Sequence, residues 1–85
     1  MATVYVIKSL STNKLYTGCT SDLQQRLDRH NGLLPSKKSS YTRKQKGPWI
    51  VVYSEICQDM SQARKRELQL KSSRGREFIK NQIRP

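Results

Sequence analysis

Eighty-five residues leave room for one domain with a thin core, and none for a second. Seventeen Lys and Arg against six Asp and Glu give a net charge of +11, so a polyanion is the natural partner. No apolar run approaches the ~20 residues that cross a bilayer, and the basic stretches lack the large apolar faces of a membrane-surface helix.

In chain order, TVYVIKS alternates β-branched and aromatic residues with polar ones and predicts a strand over residues 3–8. Residues 9–14 read as a polar turn containing Asn13, and residues 15–18 as a second strand closing a hairpin. A helix follows from Ser21, where Ser21 and Gln24 fit a capping box, Asp22 suits the first turn, and Gly32 after Asn31 ends it. Residues 33–47, LLPSKKSSYTRKQKG, read as a mobile basic loop with one aromatic, Tyr41. The strongest strand covers residues 49–55, a helix spans 60–71, and a last helix follows Ser73 with Phe78, Ile79 and Ile83 on its apolar side. The order β-β-α-β-α-α predicts an α+β fold, a three-stranded, mostly antiparallel sheet flanked by helices.

Charge is uneven along this plan. Residues 1–34 carry +2, residues 35–46 carry +5, residues 47–59 carry −2, and residues 60–85 carry +6. Two basic zones therefore flank a weakly acidic strand. Lys37, Lys38, Tyr41, Arg43, Lys44 and Lys71 are the candidates for holding nucleic acid, the aromatic by stacking and the cations on phosphates. A solvated loop tip is the competing reading of residues 37–44. Cys19 and Cys57 are either one disulfide or two free thiols. A reducing, cytoplasmic location is expected, since MATVYVIKS has no charged-then-apolar leader.

Helical spacing of about 100° per residue sorts the polar residues of the two main helices. Leu23 and Leu27 mark the inner stripe of the first, with His30 beside them, Arg26 at their edge, and Gln25 and Arg29 pointing away. Arg26 and His30 are thus expected near the sheet. A cation at the helix C-terminus also explains His30, and a stem covering the core also explains Arg26. In the second helix Glu67 falls among Met60, Ala63 and Leu70. A Glu67–Lys71 pair accounts for the spacing, but not for a carboxylate on the apolar side, where it needs a cation or a metal.

Absences narrow the chemistry. There is no Gly-rich phosphate loop and no G-x-S-x-G elbow. Cys19, His30 and Cys57 are too scattered for a zinc site. Asp22, Asp28, Glu55, Asp59, Glu67 and Glu77 include no pair that stands out as bridging two metals, so metal chemistry here would use one ion and one carboxylate.

Thr3-Val4-Tyr5, Tyr16-Thr17-Gly18, the Arg26 and His30 pair, and Glu67 follow one another in an order and spacing that resemble the GIY-YIG nuclease family, as a small stand-alone member. The resemblance runs from Val4 to about Ile79. The chain departs from it at Thr3, which takes the place of a glycine, at Val4, and at Thr17, which replaces an isoleucine, while both tyrosines and Gly18 are kept. The resemblance implies a single catalytic domain over residues 1–85 and a metal-dependent endonuclease or nickase acting on DNA, including branched or damaged forms, with RNA the other substrate. It implies one Mg²⁺ or Mn²⁺ held by Glu67, Arg26 on the scissile phosphate, Tyr5 as general base and Tyr16 as a positioning phenol. His30 would support the reacting groups, and Lys71 resembles a basic residue with no assigned role. A protein partner would supply target choice. A nucleic-acid-binding module without useful turnover, or a small adaptor for an acidic protein, are the competing functions. The nuclease reading requires that both phenols, Arg26 and Glu67 converge in a single positive hollow.

Overall fold

The computed structural model describes residues 1–31 and 48–83. The elements in order are β1 (Ala2–Ser9), β2 (Leu15–Thr20), α1 (Leu23–His30), β3 (Trp49–Cys57), α2 (Met60–Lys71) and α3 (Ser73–Gln82). The predicted α+β plan is the one observed, with each strand two residues longer than the alternation alone suggested. The candidates Lys37, Lys38, Tyr41, Arg43 and Lys44 lie outside the described residues, as does Gly32.

The sheet runs β2-β1-β3, antiparallel throughout. β1 is the central strand and is covered on both faces, which is why Val4, Tyr5, Val6 and Ile7 are all buried. Side chains alternate across the pleat, so β1 serves two cores. Ala2, Val4 and Val6 pack with Ala63 and Leu70 of α2 and Ile79 of α3. Tyr5 and Ile7 pack with Trp49, Tyr16, Leu23 and Leu27 on the α1 side. Along β3 the register slips between Val6 and Ile7: Val6 faces Tyr53 and Ile7 faces Val51, a bulge that adds one residue to the longer strand.

The hairpin turn places Asn13 at φ 62°, a left-handed conformation that asparagine tolerates well. The start of α1 differs from the predicted capping box. Asp22 is the N-cap: its carboxylate accepts the Gln25 amide at 3.1 Å, and Ser21 stands one residue outside. The amide of Asp22 in turn donates to the Thr20 hydroxyl at 3.1 Å, so the end of β2 and the start of α1 form one rigid corner. Asp59 caps α2 in the same way, on the amide of Gln62. Among the described residues no helix is long and apolar enough to cross a membrane. Cys19 and Cys57 are both free thiols, which answers the question the sequence left open.

Candidate active site around the edge strand

Tyr5 stands at the middle of β1, opposite Gly18 of β2. Its hydroxyl lies 2.9 Å from Nε2 of His30. Tyr16, two residues before Gly18, points to the same face of the hairpin. Its ring lies 6.5 Å from the Tyr5 ring and 5.1 Å from the imidazole, and the Tyr5 and His30 rings lie 5.8 Å apart. The three rings form a cluster in which Tyr5 is 1% exposed, His30 is 9% exposed and Tyr16 is half-buried.

Gly18 is part of this geometry. A Cβ there would meet Oη of Tyr5 at 2.7 Å and Cζ at 2.9 Å, with Cε1 of Tyr16 at 3.2 Å. The hydrogen at this position lets the phenol cross over the neighbouring strand and reach the helix beyond it.

His30 is inward-facing, as the wheel suggested, and is the buried residue of α1. Arg26, one turn earlier, is exposed rather than lying against the sheet. It still acts on the cluster. Burial, then the charge of Arg26, pushes His30 down to about 4, so the imidazole is neutral at ordinary pH. Burial also drives the Tyr5 phenol well above its usual range. Tyr16 and Glu67 add to that, and Arg26 opposes it. Positive charge alone would make this phenol more acidic, but in the free protein burial outweighs the nearby cation. In the tautomer that carries its proton on Nδ1, the neutral imidazole accepts the Tyr5 hydroxyl at Nε2; in the other, Nε2 donates to the phenol oxygen.

α1 is held in place by a residue that the motif reading did not single out. The side chain of Asn31, at the helix C-cap, bonds both backbone groups of Trp49: its Oδ1 accepts the amide at 2.6 Å and its Nδ2 donates to the carbonyl at 3.1 Å. This pairing resembles one more rung of the sheet and fixes the end of α1, with His30 beside it, against the start of β3.

Glu67 reaches the site from the other side. It lies on α2, close enough to the Cys19 thiol for its carboxylate to act on it. Cys19 packs with the α2 core, on the face of β2 opposite Tyr16 and Gly18. Burial first, and then the Glu67 carboxylate, push this thiol up to about 11, with Arg64 and Arg26 opposing. The candidate groups thus gather at an edge of the sheet rather than on one of its faces. They approach the edge strand β2 from both faces, α1 bringing Arg26 and His30 and α2 bringing Glu67. The two sets meet electrostatically, since the charges of Glu67 and Arg26 both act on Tyr5 and on Cys19.

Lys71 donates to Oε2 of Glu67 at 2.7 Å. Among the described residues no three His, Cys, Asp or Glu side chains cluster as a metal site. The donor set nonetheless fits one hard ion. A Mg²⁺-sized cation takes one or two carboxylates and completes its shell with water and substrate phosphate. Glu67 is a carboxylate already holding a cation at a partly exposed position.

Residues 1–81 match the model of the GIY-YIG catalytic domain. A UPF0213 protein of Desulfotalea psychrophila is 38% identical over 91% of this chain and 69% of its own length. A UPF0213 protein of Staphylococcus haemolyticus is 32% identical over 91% of this chain and 88% of its own. The solution NMR structure of a UPF0213 protein from Bacillus halodurans superposes with a TM-score of 0.51 at 24% identity, covering 93% of this chain and 82% of the other, and shares the fold.

Proposed function

The chain belongs to the GIY-YIG family, and from that premise we propose that it is a metal-dependent endonuclease or nickase that hydrolyses phosphodiester bonds in DNA. The observation that carries the reading is the Tyr5–His30 hydrogen bond at 2.9 Å, beside Tyr16 and under the charges of Arg26 and Glu67. A buried phenol is a poor base on its own, because burial disfavours the phenolate. A phenol bonded to a neutral imidazole has somewhere to send its proton. As Tyr5 takes a proton from the attacking water, its own proton passes to Nε2 of His30, and no free phenolate forms. Tyr16, the more exposed phenol, orients the water or a phosphate oxygen. Arg26, exposed at the rim, offers its guanidinium to the scissile phosphate, where negative charge grows in the transition state. Glu67 would hold one Mg²⁺ or Mn²⁺, which when bound supplies Lewis-acid stabilisation of that same charge. Lys71 then exchanges its carboxylate partner for a phosphate.

The test is cleavage of labelled linear, branched and single-stranded DNA, with an RNA of matched sequence, in Mg²⁺ or Mn²⁺. Wild-type protein should cut at least one of them, and Arg26→Ala should lose about a hundredfold or more. No cleavage of any substrate, or equal cleavage by Glu67→Gln, would overturn the proposal. Binding that ignores metal and Glu67 but weakens with salt would support the competing reading, a nucleic-acid-binding module in which Lys71 permanently occupies the carboxylate.

A further inference from the structure

A groove of about 520 Å³ runs between the hairpin and the two C-terminal helices. Val6, Leu70 and Ile79 form its floor, Leu15, Tyr16 and Thr17 of β2 one wall, and Lys71, Arg76 and Lys80 its other lining. We propose that this groove receives an unpaired nucleotide, with its base on the apolar floor and the flanking phosphates on the basic rim. The inference rests on the nuclease reading for its direction, and adds to it a substrate class: nucleic acid with at least one unstacked base next to the cut.

Three features argue for this occupant. The first is size, since about 300–1,000 Å³ is the usual range for small-molecule sites. The second is chemical pattern. An aliphatic floor takes the flat face of a base, and three cations sit where phosphates would lie. No carboxylate lines the groove, and neither Arg76 nor Lys80 has an acidic partner among the described residues. The third is continuity. Lys71 belongs both to the groove and to the Glu67 pair, and β2 lines the groove with Leu15 and Thr17 while turning the Tyr16 ring to its other face, against Tyr5 and His30. A strand whose phosphate lies at the edge of β2 passes directly into the groove. A fully stacked duplex keeps its bases inside and cannot offer one to it. An acidic peptide would suit the rim but would leave the apolar floor without an aromatic or aliphatic partner unless it carried one.

The experiment is binding without metal, by fluorescence anisotropy in EDTA, so that no cleavage is needed. The probes are a short labelled single-stranded DNA, the same DNA with abasic residues at central positions, and a blunt duplex. Wild-type protein should bind the normal strand about tenfold more tightly than the abasic one, and more tightly than the duplex. Leu15→Gln, at a partly exposed position, should erase the base-dependent difference while leaving affinity for the abasic strand in place. Arg76→Gln with Lys80→Gln, both on the exposed side of α3, should weaken both strands alike and reduce the salt slope by about 1.4, or about 0.7 per lost phosphate contact. Equal binding of normal and abasic strands by wild-type protein would overturn the proposal. So would a base preference that survives Leu15→Gln, or displacement of the strand by an acidic peptide at equal concentration. If base-dependent binding is present but no metal-dependent cleavage is found, the hydrolase reading fails and the groove stands. If cleavage is found with no base dependence, the reverse holds.

Discussion

Two neighbouring residues of α2, Arg66 and Glu67, each join an ion pair, and the pairs have opposite characters. Arg66 grips Glu55 of β3 through Nε and Nη2 at 3.0 Å, donates a third bond to Gln69 at 3.1 Å, and lies 5.4 Å over the Phe78 ring. Tyr53 donates to the same Glu55 carboxylate and meets Phe78 edge-on at 5.7 Å. Partial burial alone would raise the Glu55 carboxyl, but the Arg66 and Tyr53 hydrogen bonds hold it below its ordinary range. All three guanidinium nitrogens have an acceptor here, and the network ties α2 and α3 to β3. Glu67 has one short bond, to Lys71, an i,i+4 neighbour, with the Cys19 thiol nearby. A single flexible ammonium is a replaceable partner, whereas a guanidinium held at three points is not. One pair is built to stay, and the other can exchange its cation.

The largest expected effect crosses the two pairs. Glu67→Gln should lower cleavage by about a thousandfold and change the folding free energy by less than about 0.5 kcal/mol. Glu55→Gln should do the reverse, costing about 1–2 kcal/mol of stability and leaving the rate per folded molecule unchanged. Urea denaturation beside single-turnover cleavage measures both. Similar profiles for the two variants would erase the distinction.

Acid should separate the regions next. The unfolded chain protonates His30 near 6.5 while the folded protein resists until about 4. The unfolded state therefore binds more protons in that window, and stability falls as pH drops through it, by about 3 kcal/mol when complete. His30→Gln should flatten this slope. The Glu55 network should add its loss at the acid end of that window and below, because a lowered carboxyl gives up its stabilisation from its ordinary 4.5 down through its folded value. Cleavage at limiting substrate should show its acid limb near 4 rather than near 6.5, since Tyr5 needs a neutral imidazole.

The smallest effect probes the ring cluster. Gly18→Ala puts a methyl 2.7 Å from Oη of Tyr5, a stiff side chain already bonded to His30. The ring must move, at about 1–3 kcal/mol. Thermal unfolding should report that cost, and cleavage should fall even at temperatures where the variant is fully folded. A variant as active as wild type would show that the Tyr5–His30 distance is not critical.

Much of this organisation is visible in the linear chain for definite reasons. Period-two alternation in TVYVIKS and the apolar run from Trp49 mark the strands, and the inner stripe of Leu23 and Leu27 carries His30 inward with it. Glu67 among Met60, Ala63 and Leu70 announces a carboxylate that needs a cation, and Lys71 is that cation in the fold. Other features depend on pairs far apart in sequence. Asn31 pairing with Trp49 and Arg66 closing on Glu55 each join elements whose spacing reveals nothing about their proximity. The capping box at Ser21 and Gln24 failed because Thr20 captures the corner and passes the cap to Asp22, a preference settled by the direction in which β2 ends.

The residues alone determined the α+β order, the inward helix faces and the types of side chain that the chemistry uses, because periodicity and local hydrogen bonding act over a few residues. Tertiary structure alone decided that these side chains meet around the edge of β2 from both faces, and that burial leaves His30 neutral and the Tyr5 phenol protonated. Both outcomes depend on what packs above and below a strand, and no local pattern carries that information.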